Sequence, residues 1–417
     1  MNQTSNGDDV LLQVEGLAYG GEAVAKVIAG PPAQIGKKAL IAFAVPGELV
    51  SARIDEDGQR LIRASLLEVK RAAEERCSPP CPYFTKCGGC DLQHMQIEKQ
   101  RSAKLDMVSS TLRAKAGITP LQSAELLGEG LPAFRYRRRV HVHITPAGAI
   151  GFNRRGSGEV VDIDDCLLMS ENLAAAFREL RAIAPRLGPS AASISLEESG
   201  EAVNLIVRLR ERSAEENAAD KVAELLSGHP GGVKVFRRGV LLFESEAPAQ
   251  AGHFSQVNNV ANEKLIGKVV ELALDSPITE LYAGAGNLSI PLALRGRKVT
   301  AVEVEPSLVR AGEENLSRLK LQSRIRFVEM SCERYLKANS VEPCVILDPP
   351  RAGAKNIIEQ ISAPHVRQII YVSCNLPTLA RDLAMLKDRG LTLRRLYVLD
   401  MFPQTHHVET ISELVRN

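Results

Sequence analysis

The sequence predicts an α/β protein in three parts: a small N-terminal β-barrel, a central α+β segment carrying a cysteine cluster, and a C-terminal Rossmann-like open parallel sheet. Three observations carry this reading. Residues 10–69 alternate short apolar runs with Gly and Pro turns, the pattern of a small barrel or curled sheet. The stretch CPYFTKCGGC, residues 81–90, packs three of the chain's eight cysteines into ten positions. From about residue 255 the rhythm becomes strand, glycine turn, helix, repeated, as in parallel α/β sheets.

At 417 residues with 45% hydrophobic and 24% charged residues, the chain is long enough for two or three domains, each with its own core. We place them at 8–69, 74–250 and 251–417. The net charge of +2 selects no partner, so any nucleic-acid contact must come from local basic patches. The N-terminus is polar, without an apolar signal core, and the longest apolar run, residues 39–45, is too short to span a bilayer. The expectation is a cytoplasmic protein without membrane contact. Thiols stay reduced there, so clustered cysteines point to metal ligation or catalysis rather than disulfides.

In the first part, LLQVEGLAYGGEAVAKV, KKALIAFAVPGELVSARI and RLIRASLLEV read as strands. The charged linker KRAAEER leads into the cysteines. Residues 94–117 then have helical periodicity and end at Gly117, a natural C-cap; this helix is a candidate to pack on the last domain. YRRRVHVHI and VNLIVRLR are strands, and NAADKVAELLSG is a helix. FRYRRRV and GFNRRGSG put arginines beside aromatics, which suits phosphate neutralisation and base stacking on RNA.

In the last part, ELYAGAGNLSI ends a strand in Gly284 and Gly286 before a helix, and Glu303 closes the next strand. Small residues let the turn approach a nucleotide-like ligand, and a carboxylate at that point accepts ribose hydroxyls. The rest of the dinucleotide fingerprint is missing. An adenosyl ligand without pyrophosphate, S-adenosylmethionine, therefore fits better than NAD. LDPPR ends a strand with two prolines that fix the turn and aim Asp348 into the cleft. Cys374, in IIYVSCNLPT, ends another apolar strand at the same sheet edge and is the candidate nucleophile. Cys332 and Cys344 read as buried small hydrophobes. DMFPQTHHVET supplies His406, His407 and Glu409 near the C-terminus. Tetrahedral sulfur ligation by the clustered cysteines suits zinc or an iron-sulfur centre, and spacing does not decide between them.

Taken together, Gln256 to Asn258, LYAGAGN, LDPPRAG, YVSCN and the terminal D-M-F-P-x-T-x-H-x-E pattern resemble the RNA (uracil-5)-methyltransferase family over essentially the whole chain. The cysteine stretch with the distant Cys166 is similar to the iron-sulfur members, and the barrel with its VPGE turn to their TRAM domain, an OB-like RNA-binding module. The resemblance implies S-adenosylmethionine-dependent methylation of uridine carbon 5. It implies Cys374 as nucleophile and Glu409 as base, with Gln256, Tyr282, Asn287, Glu303 and Asp348 around cofactor and base. It also implies a [4Fe-4S] cluster on Cys81, Cys87, Cys90 and Cys166, in which Cys77 has no place. His406 stands where the family often has glycine. The barrel-plus-cluster combination is most similar to the branch acting on 23S ribosomal RNA, working as a monomer. The T-loop uridine of tRNA is the alternative substrate, and a noncatalytic iron-sulfur RNA-binding protein the alternative class. An amino-group methyltransferase would carry an aromatic after its prolines and needs no cysteine; here Arg351 follows them.

Overall fold

The computed structural model describes residues 9–118, 124–211, 217–245 and 256–416; the expected boundaries at residue 8 and at 250/251 lie outside them. The first strand, Asp9–Leu17, buries every second side chain over most of its length, as a strand with one face on a core must. It pairs with Ala23–Ala29 on one side and Leu49–Asp57 on the other, and Lys38–Ile41 and Leu61–Arg71 complete a closed five-stranded barrel. Closure leaves the barrel no unpaired edge. Leu12, Val27, Ile41, Val50 and Ile62 fill it. The VPGE turn sends Glu48 inward, fully buried, to take the Val45 amide at 2.8 Å and to pair with Arg76. Burial opposes the charge on Glu48, but the Arg76 guanidinium outweighs it and holds the carboxyl below its usual range. That pair fastens the barrel to the start of the cysteine segment.

The central segment forms a seven-stranded sheet running from Val240–Glu244 at one edge through Ala202–Leu209, Ala191–Ser199 and Arg139–Ile144 to Val160–Asp162 at the other. Helices Glu171–Leu187 and Ala218–Leu225 cover one face, with Val140, Val142, Phe177, Leu180, Leu205 and Val207 between them. Alternation therefore turns Arg139, His141, Ser195 and Arg208 to the opposite face.

The C-terminal sheet has eight strands in the order Ile325–Glu329, Val299–Glu303, Ile278–Leu281, Cys344–Leu347, Gln368–Ser373, Glu409–Arg416, Leu391–Leu399 and Ala124–Leu127. The first five run parallel, and Glu409–Arg416 enters antiparallel between two neighbours. One assignment is corrected. Ala124–Leu127, placed with the central domain, pairs in parallel with Leu391–Leu399 and extends the C-terminal sheet. Its four residues were too few to reveal a sheet. The helix before it spans Ile97–Ala116, with Gly117 left-handed at φ 58°, and residues 94–96 precede it. Met107, Val108 and Leu112 pack into the same core as Leu376, Leu379 and Leu383 of the Leu376–Asp388 helix. Among the described residues, no helix is long and apolar enough to cross a membrane.

Candidate functional site

The carboxyl ends of the parallel strands gather the residues singled out above. Tyr282, Gly284 and Gly286 all have positive φ (61°, 56° and 90°). Glycine adopts this conformation freely, whereas tyrosine does so only under restraint. Glu303 ends the next strand, and its carboxylate takes the amides of Gly284, Val304 and Glu305 at 2.8–2.9 Å. Three of about four acceptor positions are thus used to shape the turn, leaving one for a ligand hydroxyl. Asn287 exchanges two side-chain hydrogen bonds with Asn262 (2.9 and 3.1 Å), tying the glycine turn to helix Asn259–Leu272. Asn258, two residues after Gln256, caps that helix and donates to the Met401 carbonyl at 3.0 Å.

Glu280 was missed by sequence reasoning. It is fully buried in the first strand of the site and bonded to the Ser289 hydroxyl. Burial, reinforced by Asp348 and Glu303, pushes its carboxyl up to about 8 against the Ser289 bond. A glutamate in the middle of the apolar stretch ITELY was the available signal.

Cys374 follows strand Gln368–Ser373, where Asn375 takes the Thr378 amide at 3.2 Å and starts the next helix. The thiol is half-buried. Burial first, then the charges of Glu409 and Asp348, push it up to about 11, while Arg351 pulls the other way. Burial pushes the Asp348 carboxyl up to about 6. Glu409 is buried as well, and burial followed by the neighbouring Asp348 raises it well above its usual value. The charge of Asp348 thus disfavours ionisation of Glu409.

Cys374 opens onto a cleft of about 730 Å³, whose lining joins it, Arg351, Val257, Phe402 and His407 to the open face of the central sheet. That face contributes Arg137, Arg139, His141, Ser195 and Arg208. His141 shares a 2.9 Å hydrogen bond with Ser195, which also accepts from Arg208 at 3.4 Å. The cleft thus has a chemical floor and a cationic roof. Of the basic patches, FRYRRRV reaches it through Arg137 and Arg139. From GFNRRGSG, Phe152 lines it, while Arg155 pairs with Asp91 at 2.7 Å and sits 5.3 Å over the Phe43 ring.

Cys81, Cys87, Cys90 and Cys166 line one small cavity with Phe84, Phe152 and Leu168. Cys77 stands apart, its thiol directed to the Gln93 carbonyl at 3.4 Å. Burial pushes Cys90 up to about 12 and raises Cys87 and Cys166. Arg137 lines this cavity and the cleft alike. No three His, Cys, Asp or Glu side chains among the described residues converge closely enough to hold a single metal ion. Cys332 and Cys344 are both buried, Cys344 in the sheet and Cys332 at the start of helix Cys332–Ala338.

A parallel sheet with a glycine turn, an acidic residue on the next strand, and a thiol beside two carboxyls at the same edge defines the α/β methyltransferase class. Comparison with known proteins narrows this. Residues 248–416 match the family model of tRNA (Uracil-5-)-methyltransferase. A 23S rRNA (uracil(1939)-C(5))-methyltransferase RlmD of Halomonas elongata is 32% identical over 435 residues, covering 96% of this chain and 88% of its own. One of the same description from a Shewanella species is 32% identical over 90% of both chains. The chain belongs to the RNA (uracil-5)-methyltransferase family. Its fold is that of the Pyrococcus abyssi tRNA (uracil-54, C5)-methyltransferase solved with S-adenosyl-L-homocysteine: TM-score 0.73 and 22% identity, over 97% of this chain and 100% of that one.

Proposed function

We propose that this protein methylates carbon 5 of a uridine in 23S ribosomal RNA, using S-adenosylmethionine and a covalent adduct on Cys374. The observation that carries the reading is the cleft, in which the Cys374 thiol faces a wall of arginines while the charges of Glu409 and Asp348 reach it from the same sheet edge. Carbon 5 of uracil is too weak a nucleophile to attack a methyl sulfonium. Addition of the Cys374 thiolate to carbon 6 moves the ring electrons to oxygen 4, and the resulting enolate makes carbon 5 nucleophilic. Carbon 5 then takes the methyl group, and S-adenosylhomocysteine leaves. Glu409 removes the carbon 5 proton, the carbon 5–carbon 6 double bond re-forms, and the thiolate departs.

Gln256, Tyr282, Asn287, Glu303 and Asp348 are assigned to the cofactor on the resemblance, which the place of Tyr282, Asn287 and Glu303 at the glycine turn supports. The arginines of the roof neutralise phosphates, and the barrel serves as a TRAM-type RNA-binding module beside them. A uridine in structured RNA must flip out to reach Cys374, at a cost of a few kcal/mol. The naming of the relatives favours 23S rRNA over tRNA.

The four thiols that line one cavity are a donor set that suits zinc or an iron-sulfur cluster, and the resemblance to the iron-sulfur members favours a [4Fe-4S] cluster. Cys81, Cys87, Cys90 and Cys166 would hold the cluster, whose contribution when bound is a crosslink between the 81–90 segment and residue 166.

The test is Cys374→Ala with RNA and labelled cofactor. It should abolish methyl transfer while cofactor binding persists, and the methyl mark made by the unaltered enzyme should map to a 23S rRNA uridine. Methyl transfer at a comparable rate by the variant removes the covalent mechanism; a mark found only in tRNA moves the substrate.

A further inference from the structure

We propose that Asp91 and His406 form a positioning pair through which the cysteine segment fixes the 400–408 loop, and with it the approach of Glu409 to the reacting base. The proposal rests on the reading of Glu409 given above. Asp91 directly follows Cys90. Its Oδ2 accepts from both the His406 amide (3.1 Å) and His406 Nδ1 (2.7 Å). A carboxylate only accepts, so the proton of this bond sits on Nδ1 and the tautomer is set. Oδ1 of the same group is anchored from the central sheet by Arg155 at 2.7 Å.

The neighbouring contacts point the same way. The amides of Asp91 and Leu92 both donate to the Gln404 carbonyl, at 2.9 and 3.0 Å. The Gln404 side chain and amide are met by Gln100 in two further bonds of 2.9 Å. Gln404 has φ 69°, a left-handed conformation that persists in a non-glycine residue only when its surroundings hold it. The barrel closes over the pair: a side chain at Gly21 would meet Asp91 and His406 atoms at 3.0 Å, and the Tyr19 ring lies edge-on to His406. On the other side the His406 ring centroid is 4.2 Å from that of His407, which lines the cleft with Cys374. Glu409 follows two residues later. Three parts of the molecule therefore meet on one imidazole, one step from the chemistry.

Displacing a catalytic group by about 1 Å can cost on the order of a hundredfold in rate. The experiment compares Asp91→Ala, His406→Ala and the double variant in the full-length protein with a 23S rRNA transcript. We expect kcat to fall by about tenfold or more in each single variant, with KM for cofactor and RNA within about twofold. The double variant should be no slower than the slower single one, because the two residues act as one unit. Amide exchange at Gln404 and His406 should quicken, and Asp91→Asn, whose amide oxygen still accepts, should recover part of the rate. His406→Ala leaves the cysteine segment untouched and keeps the test decisive should Asp91→Ala fail to fold. A His406→Ala enzyme with kcat within about twofold of the parent overturns the pair, as does a loss confined to KM. Glu409→Gln, run alongside, separates the two ideas. If that variant turns over normally while His406→Ala is slow, the pair stands and the base it positions is not Glu409.

Discussion

At the level of single residues, burial raises the carboxyls of Glu280, Asp348 and Glu409 above their ordinary values. Glu280 is the clearest case, pushed up to about 8 inside the sheet. Its folded value lies above its unfolded one, so the folded state binds the extra proton, and stability falls as pH rises from about 4.5 through 8. Glu280→Gln has no such proton to lose. Urea unfolding should find the variant gaining on the parent between pH 5 and pH 8.5 by a few kcal/mol, and a difference that stays constant with pH would refute the assignment. Glu409 acts on its neighbour instead. Its charge is the largest cause, after burial, of the raised Cys374 value, so Glu409→Gln should lower the pH midpoint for alkylation of Cys374 below about 11. The same variant should still add the thiol and transfer the methyl, then stall at elimination as a methylated protein–RNA adduct that survives denaturing electrophoresis. General bases contribute about 10²–10⁴-fold, so slow release through water is compatible with the mechanism. Normal turnover without adduct would pass the role to His407. The positions of Cys374 and Glu409 at strand ends were legible from the apolar runs beside turn residues, while the roles proposed for them rest on the resemblance. Glu280 was not legible, because a strand's burial on both faces emerges only once its neighbours are in place.

At the level of elements, the Ile97–Ala116 helix is the part whose task was least visible in its own sequence. Periodicity gave its length, but its polar positions Gln100, Arg101 and Lys104 are the buried ones, against the usual reading of such residues as solvated. They are buried because they hold the 400–408 loop. Lys104 Nζ bonds Asp400 at 2.6 Å and the Phe402 carbonyl at 3.1 Å, with neither side chain of the ion pair exposed. Arg101 stands 3.7 Å from the same carboxylate. Burial lowers the Lys104 value, and Asp400 offsets part of the effect. Removing one partner strands the other, so Lys104→Met should destabilise by about 3–5 kcal/mol in chemical unfolding. Lys104→Met with Asp400→Leu should regain part of that loss, since both members of the pair are then apolar, while Arg101 loses its neighbouring carboxylate. A double variant as unstable as the single one would show that the pair matters through the loop's geometry rather than its charge. The strand Ala124–Leu127 escaped notice for a related reason: its pairing with Leu391–Leu399 spans more than 260 residues of sequence, and no local pattern encodes a partner that distant.

At the level of the whole molecule, the three parts were readable from periodicity and punctuation, while their convergence was not. Glu48 and Arg76 fasten the barrel to the linker, Asp91 fastens the cysteine segment to the 400–408 loop, and Arg137 lines both the cysteine cavity and the cleft. Each joint uses a charged side chain that sequence alone would assign to the surface. The cysteine cavity is where this arrangement can be tested as a unit, because its four thiols come from two stretches of chain that nothing covalent joins. Cys81, Cys87 and Cys90 sit in one loop, in which the Gly88 amide reaches the Asn153 carbonyl at 2.9 Å. Cys166 arrives from beyond the central strands. Thiolates held by burial at high values gain most from a bound cation, so occupancy and local order should rise together. Anaerobically purified protein should be brown and carry about four iron and four sulfide per chain. Cys166→Ser should lose that iron and become more readily cleaved by protease within residues 81–90. Cys77→Ser should keep it, since that thiol faces the Gln93 carbonyl and lies outside the cavity. Stoichiometric zinc in place of iron would remove the iron-sulfur assignment, and equal iron loss from Cys77→Ser would remove the four-cysteine one.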